Sequence, residues 1–284
     1  MAISLKNPLM PLGLQVVAFW PVWRWYAARF TDSSDDAWGW VALATAALML
    51  VRFKNEWNKH QPKLWLPALL TFGYALSFPF VTPLPRALIA MTAIGATLSA
   101  YCFRSKLQLS FCGLLLLSLP LMASLQFYLG FPLRATVAAI ASPLLQLGGL
   151  AVVREGTCLD WNGTLISVDA PCSGVKMLWT GLYLTFTLAC YFRLNTWRTI
   201  AATLLSFATI VLGNTLRAVA LFYLEAKIIK LPENLSGAAH SVIGVMMFLF
   251  TALTIAWFVT WLKGEPRVRF IPCESLPSSL SAAR

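Results

Sequence analysis

The run Ile200–Leu224, IAATLLSFATIVLGNTLRAVALFYL, decides the fold. As one helix it is long enough to cross a hydrocarbon core about 30 Å thick. One cation, Arg217, interrupts it. Comparable apolar stretches recur, and the candidate spans are 9–27, 38–53, 64–81, 86–103, 107–129, 172–192, 199–224 and 240–262. The chain therefore reads as an all-α polytopic membrane protein with about eight transmembrane helices. Composition agrees: 58% of the 284 residues are hydrophobic and 12% charged, about half the charged share of a soluble domain.

Charge orients the spans. Lysine and arginine number 22 against 11 acidic residues, a net charge of +11. In a soluble chain that excess would suggest nucleic acid, but no folded polar domain is left to bind it. The cations instead cluster in short loops, the pattern of cytoplasmic loops in an inner-membrane protein. Arg52, Lys54, Lys59 and Lys63 form the densest such loop. Arg104 with Lys106, Arg193 with Arg198, and Lys263 with Arg267 and Arg269 form three more. Asp32, Asp35 and Asp36 then fall outside. The segment from Leu9 to Trp23 contains Pro11 and Pro21 and lacks a small-residue cleavage site, so it reads as a retained first span.

Two stretches fit no span. Residues 130–150 contain Pro143, Gln146 and Gly148-Gly149, and a crossing there would reverse every later loop, so an interfacial or re-entrant segment is expected. Residues 151–171 are a polar insert with alternating runs around Asn162-Gly163, which predicts a small outer β-hairpin before the sixth helix. The expected organisation is one integral membrane domain over 1–262, with the insert at 151–171, and a cytoplasmic tail over 263–284.

Three residues could carry chemistry. Cys172 follows Pro171 at the predicted start of a span, where helix N–H groups and the dipole favour an anion. Lys176, one turn later, adds a positive charge, and both effects raise the thiolate fraction. A structural thiol, or a disulfide to Cys158, is the alternative. An arginine inside a span costs roughly 2.5–3.5 kcal/mol on insertion scales, which makes Arg217 functional by default. Snorkelling to the headgroups is its bland explanation, and Asn214, one turn earlier, argues for an inward polar stripe instead. His240 is expected to open the last span. The charge-based topology puts all three on the outer face. A thiol, an imidazole and a fixed cation together suit acyl transfer: the base takes the thiol proton, and the cation stabilises the oxyanion. With two histidines, His60 and His240, and no C-x-x-C among six cysteines, neither a metal nor a cofactor is expected.

In their order and spacing, Ala170-Pro-Cys172-Ser173-Gly174, Asn214-x-x-Arg217 and His240 resemble the exosortase/archaeosortase family. The Arg154-Glu-Gly and Asn162-Gly163 hairpin and the Asp32-Ser-Ser segment before Gly39-Trp-Val extend the resemblance over about 30–262. It implies a membrane cysteine transpeptidase of the plasma membrane, with its active site on the extracytoplasmic face. Substrates would be exported proteins ending in a recognition motif (often Pro-Glu-Pro), a transmembrane helix and a basic tail. They would pass to an amine or lipid acceptor. Cys172 would be the nucleophile, Arg217 the oxyanion or substrate-orienting cation and His240 the acid/base, with Ser173, Gly174, Lys176 and Asn214 in support. Pro171 and Lys176 depart from the family pattern, which commonly has an acidic-then-alanine lead-in and an arginine. A multi-pass transporter with an anion path along Asn214 and Arg217, and a non-catalytic assembly factor for surface polysaccharide or protein export, are the readings from other classes.

Overall fold

The computed structural model describes residues 8–30, 38–54, 62–103, 107–167, 174–229 and 232–264. The helices are α1 (Leu9–Ala18), α2 (Trp20–Phe30), α3 (Gly39–Arg52), α4 (Trp65–Ser77), α5 (Pro83–Cys102), α6 (Leu109–Leu117) and α7 (Met122–Leu147). A sheet of β1 (Val152–Glu155), β2 (Cys158–Trp161) and β3 (Thr164–Ser167) follows. Then come α8 (Val175–Tyr191), α9 (Thr196–Glu225) and α10 (Glu233–Lys263).

The protein is a mostly helical, multi-pass membrane protein, but eight full spans are not what the sequence builds. Among the described residues three helices are long and apolar enough to cross: Met122–Leu147, Thr196–Glu225 and Gly237–Lys263. The expected first span divides at Phe19 into α1 and α2, with Pro21 in the first turn of the second, a position where a missing N–H costs nothing. The expected span 107–129 also breaks. Helix α6 stops at Ser118, whose hydroxyl donates to the Leu115 carbonyl, and Pro120 cannot continue it. Residues 130–147, expected to be interfacial, instead belong to the continuous 26-residue α7, which accommodates Pro132 and Pro143 in its interior. Prolines are tolerated in membrane helices because packed neighbours satisfy the freed backbone groups.

Side-chain contacts fix how α8, α9 and α10 run. On α8 and α9, Thr185 Oγ1 donates to Ser206 Oγ at 2.7 Å, and a Cβ on Gly181 would lie 2.6 Å from Ile210 Cδ1. A Cβ on Gly174 would lie 2.8 Å from Asn214 Nδ2. These pairings define an antiparallel register. Helices α9 and α10 pair likewise: Arg198 Nη1 donates to the Lys263 carbonyl at 3.0 Å, Gly213 faces Thr251, and Arg217 faces Gly244. Small residues at these crossings let the backbones approach closely. The start of α8, the 214–217 stretch of α9 and the 240–248 stretch of α10 therefore lie at one end of the bundle.

The opposite end collects cations on aromatic rings. Arg52 lies over Tyr191 at 4.5 Å, Arg193 over Phe53 at 4.2 Å and Lys263 over Phe192 at 4.8 Å. Asn195 caps α9 there by accepting from the Arg198 amide at 2.9 Å.

The sheet caps the first end. Its order is β1-β2-β3, both pairings antiparallel. The Asn162-Gly163 turn was legible in advance: both residues have positive φ, 53° and 76°, as a tight hairpin turn requires. A second turn at Gly156 (φ 63°) adds a third strand to the expected hairpin. Val152, Leu159 and Ile166 bury one face of the sheet against Val137, Ala141 and Leu145 of α7 and Leu221 and Phe222 of α9. The sheet thus sits directly beyond Arg217 on the same helix.

The α9–α10 register has a direct test. A Cβ at Gly213 would lie 3.4 Å from Thr251 Cβ, close to the ~3.5–4.5 Å that a disulfide needs. The double variant Gly213→Cys, Thr251→Cys is expected to cross-link on mild oxidation, read by intact mass and by peptide mapping under reducing and non-reducing conditions. A failure to cross-link would refute the pairing.

Candidate active site

Asn214 and Arg217 belong to the last three turns of α9. Asn214 is 2% exposed, and Gly174 makes its approach to α8 possible. Gly174 adopts a left-handed conformation (φ 77°, ψ 1°) and stands as the N-cap of α8. Left-handed backbone strains any residue with a Cβ, and the space that Cβ would fill holds the Asn214 amide. Helix α8 therefore begins at Val175, not at Pro171 as the sequence suggested. Cys172 and Ser173 lie outside the described residues. Cys172 is two residues before Gly174, and so the chain enters α8 beside Asn214 just after the cysteine.

Arg217 is half-buried, and its Nε is buried without a hydrogen-bond partner among the described residues. Its guanidinium lies flat against α10 at Gly244. The three atoms nearest a Cβ built there are Arg217 Nη2, Cζ and Nε, at 3.5, 3.6 and 3.6 Å.

His240 is half-buried on α10, one turn before Gly244. It does not open the helix. Pro232 is the N-cap and α10 starts at Glu233, so His240 lies about two turns inside. Lys176 is exposed in the first turn of α8. Among the described residues no cluster of His, Cys, Asp or Glu could hold a metal ion.

Charges of both signs meet at this end. The N-termini of α8 and α10, Lys176 and Arg217 lie here, together with the C-terminus of α9, Glu225, and Glu155 and Asp160 of the sheet. Of these, the Arg217 guanidinium is the cation packed between helices next to Asn214, and a fixed cation of that kind suits an oxyanion.

Three contributors were not singled out in the sequence. Gly244 supplies the surface on which Arg217 lies; its spacing of four from His240 puts both on one helix face, which was the available signal. Thr251 and Met177 close around Gly213, next to Asn214, and nothing in the local sequence marks them.

The transmembrane exosortase family model (Exosortase_EpsH) matches residues 25–257. The chain belongs to that family. The match spans α3 to α9, the sheet and most of α10, and so contains Cys172, Asn214, Arg217 and His240. It leaves out α1 and the segment after 257. No curated protein and no solved structure matches the chain.

The Gly174–Asn214 contact predicts a sharp positional effect. Gly174→Ala is expected to lower the thermal unfolding midpoint in detergent, at a cost of roughly 1–2 kcal/mol for the left-handed backbone plus displacement of Asn214. Gly237→Ala, where a Cβ meets nothing within 4 Å, should leave the midpoint unchanged or raise it slightly. Equal midpoints for the two variants would contradict the assignment.

Proposed function

We propose that this exosortase-family protein is a cysteine transpeptidase acting on exported proteins at the extracytoplasmic face of the plasma membrane. The observation that carries the reading is Arg217. Its Nε is buried and its guanidinium occupies the space beside Gly244, one turn from Asn214, and Asn214 abuts the residue through which the chain leaves Cys172. A partly desolvated cation at the end of the bundle where the chain leaves Cys172 is suited to an oxyanion that forms only during reaction.

In this mechanism a substrate's C-terminal helix lies alongside the bundle and presents its recognition motif at the membrane boundary. The Cys172 thiol passes its proton to His240, and Sγ bonds to the scissile carbonyl carbon. The carbonyl oxygen takes up negative charge against Arg217. Collapse breaks the C–N bond, and His240 returns the proton to the departing amine, leaving a thioester on Cys172. An amine acceptor then attacks that thioester, forming a new amide and releasing the thiol. Limited access of water at the membrane boundary favours the acceptor over hydrolysis.

Two substitutions separate this reading from structural and transport roles. Cys172→Ala should abolish processing of a co-expressed substrate carrying the motif–helix–basic-tail signal, with no loss of protein from the membrane. Intact processing would remove the nucleophile assignment. Arg217→Met should reduce processing by about 10²–10³-fold, as loss of an oxyanion donor does. The thermal midpoint should be maintained or raised, because an apolar side chain relieves a buried unpaired donor. A strongly lowered midpoint would mean that Arg217 is structural. Alkylation of Cys172 that leaves all function intact would favour transport.

A further inference from the structure

We propose that the seam over α8, between α3 and α10, is a binding site for one anionic phospholipid, with the phosphate at the cationic end and an acyl chain in the bundle. Two separate features on the same three helices carry this. The first is a cavity of about 350 Å³, with walls that include Val41 of α3, Met177 and Leu184 of α8, and Phe248, Ala252 and Ile255 of α10. Its surface is almost wholly apolar. The second is the cation group at the end of those helices: Arg52 on α3, Arg193 just after α8 and Lys263 on α10, all exposed.

The cations form one contiguous group. Arg52 stacks on Tyr191, Arg193 on Phe53 and Lys263 on Phe192, while Arg198 bonds the Lys263 carbonyl. The rings hold the side chains in place. Among the described residues the carboxylates whose side chains are placed, Glu155, Asp160 and Glu225, belong to the sheet and to the far end of α9. Glu56 and Glu265, close in sequence to Arg52 and Lys263, lie outside the described residues. Trp197 and Trp261 are 79% and 65% exposed beside Arg198 and Lys263, and exposed tryptophan at a helix end marks headgroup depth. Clustered cations at that depth suit the phosphodiester of an anionic lipid.

Length agrees as well. From Lys263 to Ile255 the rise along α10 is about 12 Å, and to Phe248 about 22 Å. An acyl chain anchored at the cations would therefore end inside the cavity, near mid-α10. The tail would lie against Met177, which also contacts Gly213 next to Asn214, so the lipid would brace the α8–α9–α10 register. This inference does not depend on the chemistry of Cys172.

The test is native mass spectrometry of the detergent-solubilised full chain, titrated with phosphatidylglycerol, phosphatidylcholine or inorganic phosphate. One phosphatidylglycerol should be retained in preference to phosphatidylcholine, and inorganic phosphate should not displace it. Arg52→Gln and Lys263→Gln should each weaken retention about fivefold. Ala252→Phe fills the cavity and keeps every cation, so it should weaken long-chain phosphatidylglycerol and leave the dihexanoyl form unchanged. Equal retention of phosphatidylcholine, full competition by phosphate, or no effect of Ala252→Phe would each overturn the site. Thermal midpoints of the variants distinguish lost binding from lost folding, and the result is read without any processing assay.

Discussion

Polar groups within a bilayer depend on the protein for their surroundings, and in this chain those of α9 meet neighbouring helices at close crossings where small residues stand. Gly181 brings α8 onto Ile210 of α9 and Ile255 of α10, while Gly213 brings α9 onto Thr251. In the same register Thr185 and Ser206 share a hydrogen bond, and their residues are fully buried. Without these close crossings the Asn214 amide could not reach Gly174, nor the Arg217 guanidinium Gly244. The candidate site is therefore a product of helix packing. The sheet that caps it contributes apolar support through Leu159 and Ile166.

Sequence patterns revealed the helical membrane class, the Asn162-Gly163 turn and the polar positions on α9 because each rests on a local rule. Hydropathy counts apolar residues, a two-residue turn demands positive φ, and an arginine in an apolar run stands out by its cost. Span number was less legible. A run such as 107–129 is apolar throughout, so hydropathy cannot see the turn at Ser118–Pro120 that divides α6 from α7. The charge rule assigns residues 130–150 to the interface, although 130–147 continue a helix. Helix ends were misread where backbone conformation mattered more than composition. Pro171 looked like a first-turn residue, yet the left-handed Gly174 starts the helix later.

Long-range partners were the least legible. Gly244 and Thr251 became significant only once α10 was laid against α9, since a glycine in an apolar helix has many possible roles. The cationic end shows the same division. Each basic loop was visible as a charge pattern, but stacking on Tyr191, Phe53 and Phe192 joins residues far apart in the chain. That stacking turns scattered orientation signals into one surface.

The bed of Arg217 has a consequence of its own. Proteins often steady a buried guanidinium with an aspartate or glutamate, which fixes its orientation but neutralises its field. Beside Arg217 the neighbouring helix presents Gly244, which has no side chain to rotate across the guanidinium or to neutralise it. In the proposed mechanism that leaves the arginine's full charge for an anion that exists only briefly.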